Sequence, residues 1–265
     1  MKPAGWSLLA FVILLLCSSC LTSHGPHLTP LQAWLKTRPM EIAHRGGDGD
    51  WTEGTAESYR KAAAWSPSLA LEVPVWRTAD GVWVVSENRT TGRVFDRDYA
   101  IPDTPWSTLA GLRTRNGAQP MARLVQDVLP VVGPDRVMFV DDKSDHDATA
   151  FLDLLDSWGG HSRFVVKSFW KAINVVQAAH RRGYFTWGYY FTGDMGSFAA
   201  TQSKFDLLGL PYDAPVADFR TMIATGKPVI AHIISSPDEA RQALARGARG
   251  LMISGVTAVV PRGTR

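Results

Sequence analysis

The sequence predicts a TIM barrel, an α/β fold of the (β/α)8 type, on three observations. Short apolar runs alternate with amphipathic segments, and several runs are almost continuously apolar, as buried parallel strands are. No linker-like stretch interrupts this alternation. The length of 265 residues suits a single barrel domain.

The strand predictions number nine, one more than a barrel of eight needs. The turn Ala79-Asp80-Gly81 separates the second run from the third, so these two runs are expected to form an antiparallel β-hairpin after the second strand. The third run is then expected to project beyond the barrel rim. The nine runs are 41–44, 69–76, 82–86, 137–140, 164–167, 186–191, 207–210, 229–234 and 250–254.

The helix predictions rest on apolar residues spaced at the helical period between the strands. The clearest are 55–65, 147–158, 172–182 and 237–246. The last has Ser236 as its N-cap and Pro237 in its first turn. The segment 96–120 is polar, rich in turn residues and without a clear period, so it predicts a long loop.

Charge and cysteine content exclude several classes of function. There are 28 Lys and Arg residues against 25 Asp and Glu residues, which gives a net charge of +3. The basic residues do not cluster, so we expect no nucleic-acid partner. The only cysteines, Cys17 and Cys20, lie in the first twenty residues, so the rest of the chain has neither a disulfide framework nor a cysteine metal site.

The first residues are typical of an export signal. Lys2 precedes the apolar run 8–16, which is too short to span a bilayer and matches the core of a signal peptide over 1–19. Cys20 follows small residues, as a lipid-anchored cysteine does. Lipoprotein, plain secretion and a retained membrane anchor all remain open, and each places the protein outside the cytoplasm or at the cell surface. The remaining domains are a linker over 20–35 and the barrel over 36–262.

Candidate functional residues are found where the predicted strands end, because barrel active sites lie at the carboxyl ends of the strands. Arginine and lysine suit a phosphate group, carboxylates suit Mg²⁺ or Ca²⁺, and histidine can transfer a proton near neutral pH. Lys167 ends a further strand and is expected to bring a second lysine to the same mouth. The candidates are His44, Arg45, Glu72, Glu87, Asp141 and Lys143.

A series of motifs in this order resembles the glycerophosphodiester phosphodiesterase family, whose pattern extends over the whole mature chain. The resemblance implies a barrel of the phosphatidylinositol-phosphodiesterase-like type and a small phosphodiester substrate, and it leaves the oligomeric state open. The motifs are His44-Arg45-Gly46, Glu53-Gly54-Thr55, Glu72-Val73-Pro74, Thr78-Ala79-Asp80-Gly81, Val84-Val85-Ser86-Glu87-Asn88, Asp141-Asp142-Lys143, Ser168-Phe169 and His232-Ile233-Ile234-Ser235.

The resemblance also implies roles for the site residues, and this chain departs from several of them. The family uses two histidines as acid and base; His44 matches the first, whereas Glu87 stands at the second. The family's three acidic residues hold a divalent ion. Here Glu72 remains as a ligand for Mg²⁺ or Ca²⁺, Asp141 stands in the place of a glutamate and is one methylene shorter, and Pro74 stands in the place of an aspartate.

Two alternatives follow from these departures. In the first, Glu87 takes over the acid role or binds the ion, and Asp142 or Glu53 helps complete the metal's ligands. The protein is then an exported phosphoric diester hydrolase acting on glycerophosphodiesters or related lipid headgroups. In the second, hydrolysis is lost, and Arg45 and Lys143 bind a phosphorylated ligand or partner at the cell surface.

Overall fold

The computed structural model describes residues 27–117 and 119–263. The predicted signal peptide over 1–19 and the predicted lipid anchor Cys20 therefore lie outside the described residues. Within the described part of the chain, no helix is both long enough and apolar enough to cross a membrane.

Eight parallel strands close into a barrel, which confirms the predicted fold. The first strand pairs with both the second and the last, and this closes the ring. The third strand pairs antiparallel with the second, Val75 facing Val85, which confirms the hairpin. The strands are β1 Met40–Ala43, β2 Ala70–Arg77, β3 Trp83–Val85, β4 Met138–Asp142, β5 Phe164–Phe169, β6 Phe185–Tyr189, β7 Leu207–Pro211, β8 Val229–Ile234 and β9 Gly250–Ile253.

Helices follow the strands around the outside of the barrel, and the four predicted helices are confirmed. The predicted N-cap of the helix that begins at Pro237 is also present, since Ser236 Oγ accepts a hydrogen bond from the Glu239 amide. The helices are α1 Pro30–Trp34, α2 Ala56–Trp65, α3 Trp106–Leu109, α4 Leu129–Val132, α5 Ala148–Asp156, α6 Asn174–Arg181, α7 Phe198–Thr201, α8 Val216–Ile223, α9 Pro237–Ala245 and α10 Val256–Val259.

The barrel interior at the amino ends of the strands is filled by apolar side chains and covered by α1. Leu31 and Trp34 are buried in the same cluster as Met40 and Phe139, and the rings of Trp34 and Phe139 lie 5.3 Å apart. The predicted linker over 20–35 therefore overlaps the packed body of the protein. An apolar interior left open at the amino ends of the strands would contact water, and α1 prevents this.

The segment 96–120 is more ordered than a long loop. It contains a 3-10 helix, Ile101–Asp103, and the short helix α3. Its apolar side chains form a small core together with Val84 of β3; the members from the segment and its borders are Phe95, Ile101, Leu109, Leu112 and Met121. These residues are unevenly spaced in the sequence, so neither a helical nor a strand period predicts that they form a core.

Candidate active site

A cavity of about 260 Å³ opens at the carboxyl ends of the strands, where the polar candidates were expected. Side chains at the amino ends of the strands are apolar, whereas the wall of this opening combines charged side chains with aromatic and aliphatic ones. Glu72 and Asp141 lie deeper and reach the cavity wall through an ion pair with Lys167. Lys143 joins the site through its ion pair with Glu87. The cavity wall includes His44, Arg45, Glu87, Lys167, Tyr189 and His232.

A tight left-handed turn after β1 positions the first two of these residues. Arg45 has φ 48° and ψ 37°, a conformation that costs energy for any residue with a side chain. Gly46 continues the turn at φ 74°, where an added Cβ would lie 2.9 Å from Ser58 Oγ. The turn directs the Arg45 amide to the buried Glu72, whose Oε2 accepts its hydrogen bond at 2.7 Å.

His44 is oriented by a carboxylate that the sequence analysis did not identify. Its Nδ1 lies 3.1 Å from Asp48 Oδ1, and the Ser254 hydroxyl donates to the same oxygen at 2.5 Å. Burial alone would raise the pKa of Asp48, but the hydrogen bonds from His44 and Ser254 hold it below its ordinary value. With Nδ1 bonded to a charged acceptor, Nε2 is the nitrogen available to a molecule in the cavity.

Glu87 lies between two of the cations predicted to bind phosphate. Its Oε1 is 2.9 Å from Lys143 Nζ and 3.4 Å from a terminal nitrogen of Arg45. Arg45 in turn donates to Glu53 at 3.1 Å. The structure therefore brings His44, Glu87 and their cationic neighbours to one opening.

Lys167 bridges the two carboxylates predicted to bind a metal ion. Its Nζ lies 3.0 Å from Glu72 Oε1 and 2.7 Å from Asp141 Oδ2, and Lys143 Nζ lies 3.1 Å from the same Asp141 oxygen. Burial acts to raise the pKa of both carboxyl groups, but the ammonium groups hold the two pKa values below their ordinary range. The same two carboxylates hold the pKa of the buried Lys167 well above its ordinary value.

The residues present do not fit the implied divalent ion. Pro74 lies directly opposite Asp141 in the β2–β4 register and offers no side-chain oxygen. Asp142 was expected to help complete the ligands, but successive strand residues point to opposite faces, and Asp142 instead accepts from Ser144. Glu53 is also engaged, because it pairs with Arg45 and Arg93. Among the described residues, no group of three acidic, histidine or cysteine side chains is arranged to hold a metal.

His232 is a second group that the sequence analysis left without a role. It is buried, and its ring centre lies 5.8 Å from Phe191 and 5.9 Å from Tyr189. Burial and then the nearby charges of Lys167 and His44 lower the pKa of His232 to about 3, so its imidazole is neutral at pH 7. Its buried Nε2 has no hydrogen-bond partner among the described residues.

Solved structures with the same fold include several phosphodiesterases. No curated protein matches the chain. An Oleispira antarctica phosphodiesterase, solved in complex with the product sn-glycerol-3-phosphate, has a TM-score of 0.71 at 16% identity over 84% of this chain and 95% of that one. Glycerophosphodiester phosphodiesterases from Thermotoga maritima and Agrobacterium tumefaciens have TM-scores of 0.64 and 0.65 at 19% and 14% identity. They cover 88% and 80% of this chain, and 97% and 95% of their own.

A family model identifies the chain from its sequence. The model of the glycerophosphoryl diester phosphodiesterase family matches residues 44–186, which is more than half of the 265 residues and begins at His44. The match spans the strand ends that carry the predicted phosphate-binding and proton-transfer residues. The chain therefore belongs to the glycerophosphoryl diester phosphodiesterase family and is a phosphoric diester hydrolase of that type, as its motifs predict.

Proposed function

We propose that the protein hydrolyses glycerophosphodiesters, or related diesters of lipid headgroups, outside the cytoplasm. One observation carries this proposal: a histidine oriented by a carboxylate shares a cavity with several cations. His44 bonded to Asp48 and the cationic Arg45 and Lys167 all belong to the same opening. A proton-transfer group beside an anion-binding group is what phosphodiester cleavage requires.

The cations of the site suit the phosphate group of the substrate. Arg45 presents a guanidinium that can bind two phosphate oxygens at once, and Lys143 adds a second positive charge. Both side chains are mostly buried, at 19% and 13% exposed, so water screens their charges only weakly. A bound phosphodiester would share these cations with Glu87, which already pairs with both.

We assign opposite proton transfers to His44 and Glu87, which both belong to the cavity wall. Glu87 is held beside both phosphate-binding cations by its ion pairs, and its carboxylate is the group we assign as proton acceptor. A water oxygen attacks phosphorus and gives its proton to Glu87, while the bond from phosphorus to the alcohol oxygen breaks. Protonated His44 then donates from Nε2 to the departing alcohol, and the products are glycerol 3-phosphate and that alcohol.

The substrate class is supported by the site and by the predicted export. A cavity of about 260 Å³ accommodates a small headgroup diester, with the Tyr189 and Phe191 rings beside the charged groups. The phosphodiesterase from Oleispira antarctica holds sn-glycerol-3-phosphate as its product. The predicted signal peptide would bring the protein to a compartment where lipid headgroups are released.

The experiment is release of sn-glycerol 3-phosphate from glycerophosphocholine and glycerophosphoethanolamine by the purified protein. We expect turnover, and His44→Ala should lower it by about 10²- to 10⁴-fold. His146→Ala, which removes an exposed histidine from the loop after β4, is the control and should keep full activity. Equal turnover by His44→Ala and the wild type overturns the mechanism. Binding of sn-glycerol 3-phosphate without hydrolysis of any diester identifies an inactive binding barrel instead.

The proposed localisation is tested by expressing the protein in a bacterial host and measuring lipid labelling, amino-terminal cleavage and the cell fraction that contains it. Incorporation of labelled palmitate that is lost in Cys20→Ser identifies a lipoprotein. A soluble, unlabelled product cleaved near residue 19 identifies plain secretion. An uncleaved chain in the membrane identifies a retained anchor, and a chain found in the cytoplasm contradicts the proposal.

A further inference from the structure

We propose that the ammonium group of Lys167 takes the place of the divalent cation, so that this protein binds phosphate and cleaves diesters without a metal ion. The part concerning phosphate rests on the proposed function. The part concerning metal binding stands on the geometry of Lys167 and can be tested separately.

The first argument is position. Glu72 on β2 and Asp141 on β4 direct their oxygens to one point inside the barrel, and Lys167 on β5 places its Nζ 3.0 Å and 2.7 Å from them. Mg²⁺ and Ca²⁺ bind oxygen ligands at roughly 2.0–2.6 Å. A divalent ion held by these two carboxylates would occupy the space of the ammonium group.

The second argument is charge. Three carboxylates around a divalent ion, the arrangement implied by the family motifs, carry one net negative charge. Here Pro74 removes one carboxylate, and an ammonium carries one positive charge less than a divalent ion. Glu72, Asp141 and Lys167 together therefore also carry one net negative charge. The ammonium of Lys167 therefore gives the site the same net charge as the arrangement that the motifs imply, whereas a divalent ion on Glu72 and Asp141 alone would give none.

The third argument is what the ammonium group can do for a ligand. An ammonium has three N–H donors; Lys167 donates one to Asp141 Oδ2 and faces Glu72 Oε1 in an ion pair, which leaves a donor unused. Lys167 belongs to the cavity wall, so its remaining donor is available to a phosphate oxygen. The carboxylates of Glu72 and Asp141 pair with its charge on two sides inside the protein.

The test uses isothermal titration calorimetry on the full chain, first with Mg²⁺ and Ca²⁺ alone. We expect no saturable binding of either ion by the wild type. The double variant Pro74→Asp, Lys167→Gln restores a third carboxylate and removes the ammonium, and it should bind a divalent ion. Micromolar binding of Mg²⁺ or Ca²⁺ by the wild type overturns the proposal whether or not the protein is an enzyme.

The second titration uses inorganic phosphate and sn-glycerol 3-phosphate, in EDTA and in excess Mg²⁺. The wild type should bind equally well in both, and Lys167→Gln should bind at least about tenfold more weakly. Lys171→Gln, an exposed lysine that follows the same strand, is the control and should bind as the wild type does. Wild-type binding that needs Mg²⁺ overturns the proposal. Wild-type protein that binds neither anion under any condition overturns the proposed function, and the metal titration distinguishes this failure from the first.

Discussion

Replacing Asp48 by asparagine should slow catalysis while leaving the barrel intact. Asp48 Oδ1 lies 3.1 Å from His44 Nδ1, and the two side chains are only 18% and 10% exposed. Asparagine keeps an oxygen acceptor for both His44 and Ser254 but loses the negative charge. That charge matters most when His44 carries a proton, which the proposed mechanism requires as the alcohol departs.

The size of the effect follows from this geometry. A hydrogen bond to a charged group contributes about 1.5–3 kcal/mol, and a mostly buried pair is little weakened by solvent. Each 1.36 kcal/mol is a factor of about ten in rate. The kcat/KM for glycerophosphocholine should therefore fall by about 10- to 150-fold in Asp48→Asn.

A matched control lies two residues along the same loop. Asp50 accepts hydrogen bonds from the Thr257 amide and hydroxyl at the surface, and Asp50→Asn makes the same charge change away from His44. Its kcat/KM should stay within about twofold of the wild type, as is usual for surface substitutions. Nitrogen-15 NMR of the His44 ring should show more of the Nε2–H tautomer in Asp48→Asn only. Equal rates for the two variants would refute the role assigned to Asp48.

Three further predictions concern stability. In the folded protein, Glu72 and Asp141 have pKa values below the ordinary 4.5 and 3.8. Their charged forms therefore stabilise the fold when the pH is above those ordinary values, and this stabilisation is lost as the pH falls through the lower folded-state values. The urea concentration at the unfolding midpoint should therefore decrease when the pH is lowered below about 4. A midpoint that stays constant over that pH range would contradict the ion pairs. Gly54 has φ +73° and its Cβ position is 3.3 Å from the Val85 carbonyl oxygen, so Gly54→Ala should lower the free energy of unfolding by about 1–2 kcal/mol. Gly54→Asn should cost less, since asparagine tolerates this conformation, and equal losses would argue against a conformational cause. Trp34→Ala should cost about 3–5 kcal/mol in urea unfolding, because Trp34 is 5% exposed in the barrel floor, and a loss below about 1 kcal/mol would show that α1 adds little.

The barrel could be predicted from the sequence because its strands are buried on both faces. Such strands are short apolar runs, and their order along the chain fixes the order of a parallel barrel. The rule that function lies at the carboxyl ends of strands then identified His44, Arg45 and Glu87 without a structure. The helix α1 escaped prediction because its five residues are too few to show a helical period.

The role of Lys167 could not be predicted because it depends on distant residues. Its partners Glu72 and Asp141 lie on two other strands, and only the closed barrel brings their oxygens within 3.0 Å of its Nζ. The alternation along β5 does place Lys167 on the inner face with Val165, which is buried in the barrel interior. The strand-end rule and this alternation both predict a lysine at the mouth, but neither predicts its partners.

The position of α1 also constrains how a lipid-anchored form would meet the membrane. α1 covers the amino ends of the strands, so the opening that holds the candidate site lies at the far end of the barrel. Ten residues lead from Cys20 to the start of the helix at Pro30, a tether of at most about 36 Å. A lipid on Cys20 would therefore attach the bilayer to the barrel floor, and this attachment favours an orientation with the opening directed away from the membrane. Such an orientation favours water-soluble diesters already released from lipids over intact phospholipids still embedded in the membrane.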